Sequence, residues 1–182
     1  PWLPYVALIG LGVAALALLP SLGQTAQIAS MLAVDPFALF FKALAIIGLA
    51  IVILAAIPFM RGRTHFGGEF YAFLLITGVA ICLAVSATNL VMLYLAFEFL
   101  SITSYILAGY FRENRKSGEA AIKYFLYGAT ASAVMLYGMS LLYGATGTTD
   151  FAGIAQALSR RAAPDLLWLG IPAIILLLAG FG

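Results

Sequence analysis

The chain has 182 residues, 64% of them apolar and only 9% charged, with a formal net charge of +2. Soluble domains carry about 25% charged residues, so this composition excludes a water-soluble fold. A charge of +2 gives no electrostatic basis for nucleic-acid binding. What remains is an all-α, polytopic transmembrane helix bundle, a single domain over 1–182 whose main solvent is the lipid bilayer.

A spanning helix needs about 20 apolar residues. On that measure six spans are predicted, at 2–20, 36–60, 69–87, 89–110, 118–144 and 165–182. Asp35-Pro36 is a helix start, because aspartate can cap and proline suits the first helical position. His65 falls between the second and third spans, in a loop with Arg61 and Arg63, and reads as a solvated histidine. Gly67-Gly68 punctuates the entry to the third span. Cys82 is the single cysteine, so the chain can form no internal disulfide and carries no metal motif; a small apolar packing role suits it. Residues 86–89 leave almost no loop, so the third and fourth spans should form a tight antiparallel hairpin. Gly144 and Gly147 mark the end of the fifth span. The longest connection, 145–164, has room for a short surface helix at 151–161. Pro172 removes one hydrogen bond from the last span and is expected to kink it. The chain begins with Pro1 rather than Met and its last residues, LLLAGFG, are apolar, so a piece of a longer protein is expected.

Loop charge sets the orientation. Arg61, Arg63, Arg112, Arg115 and Lys116 fall on one side, against Arg160, Arg161 and a snorkelling Lys42 on the other. Lys and Arg excess marks the cytoplasmic side, which puts Pro1 there and the 145–164 connection outside. Trp2 and Trp168 are placed near opposite faces of the bilayer, as aromatic anchors.

Glu98 stands out. It lies near the middle of the apolar run NLVMLYLAFEFLSITSYILAGY, where a charged side chain costs about 2.5–3.5 kcal/mol on insertion scales. Such residues usually face a protein interior or a hydrated cavity and mark ion or proton paths. At 100° per residue, Tyr94, Glu98, Ser101 and Tyr105 share one stripe of the fourth span. Lys123, Tyr127, Thr130 and Tyr137 share one stripe of the fifth. Gly128 and Ser132 form a small-xxx-small pair on another face, suited to close helix approach. Glu98 and Lys123 should be offset by about 10 Å along the membrane normal, so a relay of side chains and water is expected between them rather than a direct ion pair. Both residues also have plainer readings. Glu98 could be a structural acid held neutral by burial, and Lys123 could pair with Glu119 four residues earlier or snorkel to the interface.

The strings FEFLSITSYILAGY and GEAAIKYFLYGATASAVMLYGMSLLYGATGT, across residues 98–148, resemble the subunit N family of proton-pumping NADH:quinone oxidoreductase, respiratory complex I, whose mitochondrial counterpart is NADH dehydrogenase subunit 2. KYFLYGA and LYGMSLLYGATG look more like subunit N than its relatives L and M. The resemblance implies a subunit of about fourteen helices built on inverted five-helix repeats, with a fold shared by cation/proton antiporter subunits. It implies that Glu98 belongs to a proton channel and that Lys123 is a second proton-transfer position. A further lysine would follow directly after the AGFG string, and one more helix would precede Pro1. It implies a non-redox subunit of a translocase, with NADH, FMN, iron–sulfur clusters and quinone bound by other subunits. The implied partners are the antiporter-like subunit M and the small subunits K and J, in the cell inner (plasma) membrane. The resemblance assigns no role to Tyr94, Ser101, Tyr105, Tyr127 and Thr130, which are candidate water-organising groups on their position alone. The same glutamate and lysine would also suit a multi-subunit sodium/proton antiporter or a membrane-bound hydrogenase. A spacer that only holds neighbouring subunits together would need neither.

Overall fold

The computed structural model describes residues 2–60, 62, 67–160 and 166–181. Helix α1 (Leu3–Leu18) runs into a 3-10 turn (Leu19–Ser21), then a small antiparallel hairpin of β1 (Ala26–Ile28) and β2 (Leu32–Val34). Helices α2 (Pro36–Met60), α3 (Gly67–Ser86), α4 (Leu90–Ala108) and α5 (Arg115–Thr146) follow, then the short α6 (Phe151–Arg160). A π turn (Leu166–Gly170) leads into α7 (Ile171–Phe181). His65, Arg61, Arg63 and Arg161 lie outside the described residues.

Local chemistry sets the helix ends. The Asp35 carboxylate accepts the Ala38 N–H at 2.7 Å, so the Asp35-Pro36 start stands as read. Asn89 caps α4 by accepting the Met92 N–H at 2.7 Å, and Asn114 caps α5 through the Lys116 N–H at 3.0 Å. Each satisfies a donor that a helix start otherwise leaves open. Gly147 ends α5 with φ +73°, the left-handed conformation that glycine adopts without steric cost.

Five of the six predicted spans are helices long and apolar enough to cross a membrane, and the chain is a multi-pass membrane protein. Of the sixth, predicted over 165–182, the described residues 166–181 are helical: it opens on a π turn, and its apolar helix runs over Trp168–Phe181. Pro172 is the second residue of α7, so it does not kink the middle of a regular helix. Its ring opposes the carbonyl four residues back, and the π turn gives the backbone that room. The fifth span starts three residues earlier than expected, at Arg115, and ends at Thr146. The β-hairpin is new relative to the sequence reading.

Two cores hold the bundle. One gathers Ala7, Leu11, Leu49, Ile53, Ala56, Met60, Tyr71 and Leu74 between α1, α2 and α3. The other gathers Leu90, Met135, Met139, Leu142, Ile154 and Ala173 between α4, α5, α6 and α7. They meet where α3 packs along α4, as the short 86–89 connection predicts. There Thr77 donates to Thr103 across the interface at 3.2 Å. The other face of most helices is apolar and open, with Trp2, Trp168 and Leu178 exposed, as expected for surfaces covered by lipid or neighbouring helices.

Candidate functional site

Glu98 lies eight residues into α4, beyond reach of either helix end. It is half-buried, and its Oε1 is fully buried and accepts no hydrogen bond from the described residues. Tyr94, one turn earlier on the same stripe, interacts with the carboxyl. Tyr94 and Phe97 both pack against the second core, so this face of α4 looks toward α5 and α7. The Phe97 ring meets Phe181, near the end of α7, edge-on at 5.0 Å.

Glycines fix the level of this site. A Cβ at Gly128 would collide with the Tyr105 hydroxyl and ring, and one at Gly109 would sit 2.8 Å from the Ala121 Cβ. These contacts set α4 and α5 antiparallel in a register that brings Glu98 level with residues 132–135 of α5. A Cβ at Gly180 would lie 2.8 Å from the Ala131 carbonyl oxygen and 2.6 Å from the Met135 Cβ. The end of α7 therefore arrives at the depth of Glu98, through a backbone approach that only glycine permits.

The remaining stripe residues divide. The Ser101 carbonyl accepts the Ser104 hydroxyl at 2.7 Å, and that hydroxyl lies 3.2 Å from the Tyr124 oxygen. Tyr105 packs edge-on against Tyr124 at 4.8 Å and Phe125 at 5.7 Å. These groups form an α4–α5 seam just below Glu98. The fifth-span stripe does not face that seam. Lys123 extends outward, 66% exposed, and pairs with Glu119 at 2.5 Å. Tyr127 is 79% exposed. Thr130 is exposed and donates back to the Leu126 carbonyl at 2.9 Å. The register puts Lys123 level with residues 107–110, about 14–18 Å from Glu98 along the helix axes at 1.5 Å per residue. The offset exceeds the expected one, and the structure does not bring Glu98 and Lys123 together.

Sequence reading missed three features that shape the site: the Thr77–Thr103 contact, the Tyr105–Gly128 lock and the approach of Phe181 to Phe97. The signal for the first was a threonine in each of two adjacent apolar spans, and for the second the unassigned partner of Gly128. Among the described residues no three His, Cys, Asp or Glu side chains gather as a metal site would require.

The profile of the family described as NADH:quinone oxidoreductase/Mrp antiporter, TM, matches residues 87–182, which include α4 to α7 and the Glu98 site. The chain belongs to this family. It is 37% identical over 175 residues to NAD(P)H-quinone oxidoreductase subunit 2 of Gloeobacter violaceus, covering 95% of the chain and 33% of that protein. It is 36% identical over 183 residues to NADH-quinone oxidoreductase subunit N of Trichlorobacter lovleyi, covering 99% of the chain and 36% of that protein. Its fold overlays a chain of respiratory complex I from Thermus thermophilus, solved with bound aureothin, at a TM-score of 0.77 and 32% identity. That match covers 99% of this chain and 38% of the other. The chain thus spans about a third of the length of the curated relatives it matches. The subunit N resemblance read from residues 98–148 agrees with these matches.

Proposed function

We propose that the chain is part of a proton-translocating membrane subunit of an NADH:quinone oxidoreductase, a counterpart of subunit N, and that Glu98 is its proton-exchanging carboxyl. The carrying observation is the buried Oε1 of Glu98, in the middle of an apolar helix and without a hydrogen-bond partner among the described residues. Burying such a group without full compensation costs free energy, and a well-packed apolar side chain in its place is often as stable or more so. A group that must pick up and release a proton cannot be replaced in this way. Tyr94 supports one side of the carboxyl. The buried Oε1, with no partner among the described residues, is the atom that takes up and gives up the proton.

The reading continues as follows. The ionised carboxylate draws a proton toward a nearby amine, and the neutral acid lets that amine give it up, because an opposite charge stabilises the ammonium form. The close approach of α7 supports an amine just past its AGFG segment as that partner. Lys123, with Glu119, serves as a relay or input group at the cytoplasmic side. Ser101, Tyr105, Tyr127 and Thr130 organise water. NADH, flavin, iron–sulfur clusters and quinone are held by other subunits. The membrane neighbours are subunits M, K and J, and the N-terminal end of this segment faces the cytoplasm across the cell inner membrane.

The test is Glu98→Gln in the assembled complex. Proton translocation and coupled quinone reduction should fall by about 10²-fold, the lower end of what a positioned proton-transfer group contributes, with assembly intact on native gels. Normal pumping by an assembled Glu98→Gln complex would end the assignment. Lys123→Ala should lose transport only in part; full rescue by Lys123→Arg would make it a fixed charge rather than a relay. The family description also covers Mrp antiporters, so sodium/proton exchange is the second reading. Sodium-driven collapse of a pH gradient without NADH, in vesicles carrying the full-length subunit, would favour it.

A further inference from the structure

Between Glu98 and the basic loop at Arg112, Arg115 and Lys116, α4 carries two half-buried serines, Ser101 and Ser104. Each follows the last polar position by three residues, close to one turn, so the carboxyl and the two hydroxyls lie along one ridge of the helix. The ridge ends at Tyr124 of α5, whose oxygen is 3.2 Å from the Ser104 hydroxyl. Ser104 is about 9 Å from Glu98 along the helix axis at 1.5 Å per residue. This is the side of the bundle that loop charge assigns to the cytoplasm.

Counting hydrogens gives the ridge a direction. A hydroxyl has one hydrogen to donate. Ser104 donates its own to the Ser101 carbonyl at 2.7 Å, so at the contact with Tyr124 it accepts and the phenol donates. Both bonds therefore point from the loop end toward Glu98. The Tyr124 ring is held edge-on against Tyr105 at 4.8 Å. Tyr105 is itself seated in the notch at Gly128, which fixes the phenol opposite Ser104. A phenylalanine ring would fill the same place, so the packing alone does not call for the hydroxyl. The ridge also opens on the side where α7 packs. Residues seven apart share a helix face: Ser104 lies seven after Phe97, and Tyr124 seven before Ala131. Phe97 meets Phe181 of α7, and Ala131 meets Gly180.

We propose that Tyr124, Ser104 and Ser101 relay protons to Glu98 from the cytoplasmic side. This rests on the reading of Glu98 as the proton-exchanging carboxyl and names its supply route. A proton from cytoplasmic water binds the Tyr124 oxygen as the phenol's own proton passes to Ser104 Oγ. The original Ser104 proton leaves the Ser101 carbonyl and passes to the Ser101 hydroxyl, which hands its own to the ionised carboxyl. Side chains one turn apart stand about 5–6 Å from each other at Cβ, a gap that one water bridges. Each hydroxyl gains one proton and loses one, and Glu98 ends neutral. Hydroxyls pass protons on without a lasting charge, which an apolar span would penalise.

The test uses the assembled complex with the full-length subunit, in proteoliposomes, and reads the rate of NADH-driven proton translocation. Ser104→Ala and Tyr124→Phe should each slow it about tenfold, less than the 10²-fold or more of a proton-transfer group, because water can stand in for one hydroxyl. A matched pair separates relay from packing. Ser104→Thr and Ser104→Val have the same shape and differ in the hydroxyl, so Thr should pump close to wild type and Val should match Ser104→Ala. Thermal unfolding of the variants in detergent should stay at the wild-type temperature. Equal pumping by the Thr and Val variants overturns the relay. So does a loss of pumping that comes with an equal loss of thermal stability, which would make the hydroxyls anchors. Glu98→Gln is measured alongside. Normal pumping by Ser104→Ala and Tyr124→Phe beside a deficient Glu98→Gln overturns the relay alone, and normal pumping by Glu98→Gln overturns the relay together with the Glu98 reading.

Discussion

Position on a helical wheel told only half of what Glu98 and Lys123 do. The i, i+4 spacing put Tyr94 beside Glu98, and the structure keeps them together, because both residues lie on one helix. The same arithmetic grouped Lys123, Tyr127 and Thr130, but could not say which side of α5 meets α4. That is decided by Gly128, whose missing Cβ admits the Tyr105 ring and turns the Lys123 stripe outward. Gly128→Ala should therefore destabilise the α4–α5 seam by about 1–3 kcal/mol, the usual cost of overpacking. Combining it with Tyr105→Ala should be less damaging than the two single effects added, because the collision is gone. Thermal unfolding of the four proteins in detergent checks this; strictly additive losses would mean that Tyr105 does not set the approach.

Among the elements, the long helices were legible because few segments of this chain could be anything else in lipid. The hairpin was not. Its strands have three residues each, AQI and LAV, too few for an alternating pattern to show. Its turn also lacks the usual residues. The Met31 N–H bonds the Ile28 carbonyl at 3.1 Å, and Ala29 and Ser30 between them have φ of +52° and +54°. Such turns strongly favour Asn-Gly, and an ordinary L-residue in this conformation costs about 1 kcal/mol or more. The strain makes a prediction. The double variant Ala29→Asn, Ser30→Gly should stabilise the hairpin by about 1 kcal/mol, keeping the Ser30 carbonyl that accepts the Thr88 hydroxyl at 3.2 Å. Slower amide exchange across residues 26–34 is the expected result; faster exchange would show that the turn is not held in this conformation.

For the whole molecule, the question is what keeps the two cores in one arrangement. Beyond the α3–α4 packing, the link is the extended segment at 87–89. Its Leu32–Ala87 and Asn89–Asp150 bridges join the hairpin on one side to the α5–α6 connection on the other. Thr88 is its centre. Its N–H donates to the Met31 carbonyl at 2.9 Å, and its carbonyl accepts the Phe151 N–H at 3.0 Å. No sequence pattern announced this, because the partners lie about 60 residues away in either direction and the bonds are mostly backbone. The hairpin end of the bundle is thus tied to α6, which packs on the second core through Ile154 and Leu158. Thr88→Pro removes the donor to Met31 and leaves the carbonyl. Amide exchange across 26–34 should then rise by roughly three- to tenfold, the ratio that about 0.5–1.5 kcal/mol of lost hydrogen bonding gives. The Phe151 amide should stay protected and the helix cores unchanged. Thr88→Ala, which loses only the hydroxyl bond to Ser30, should have a smaller effect at the same peptides. Hydrogen exchange read by mass spectrometry separates the cases: if the hairpin amides are unmoved in Thr88→Pro, the strap does not hold the hairpin, and packing between α2 and α3 alone must keep it in place.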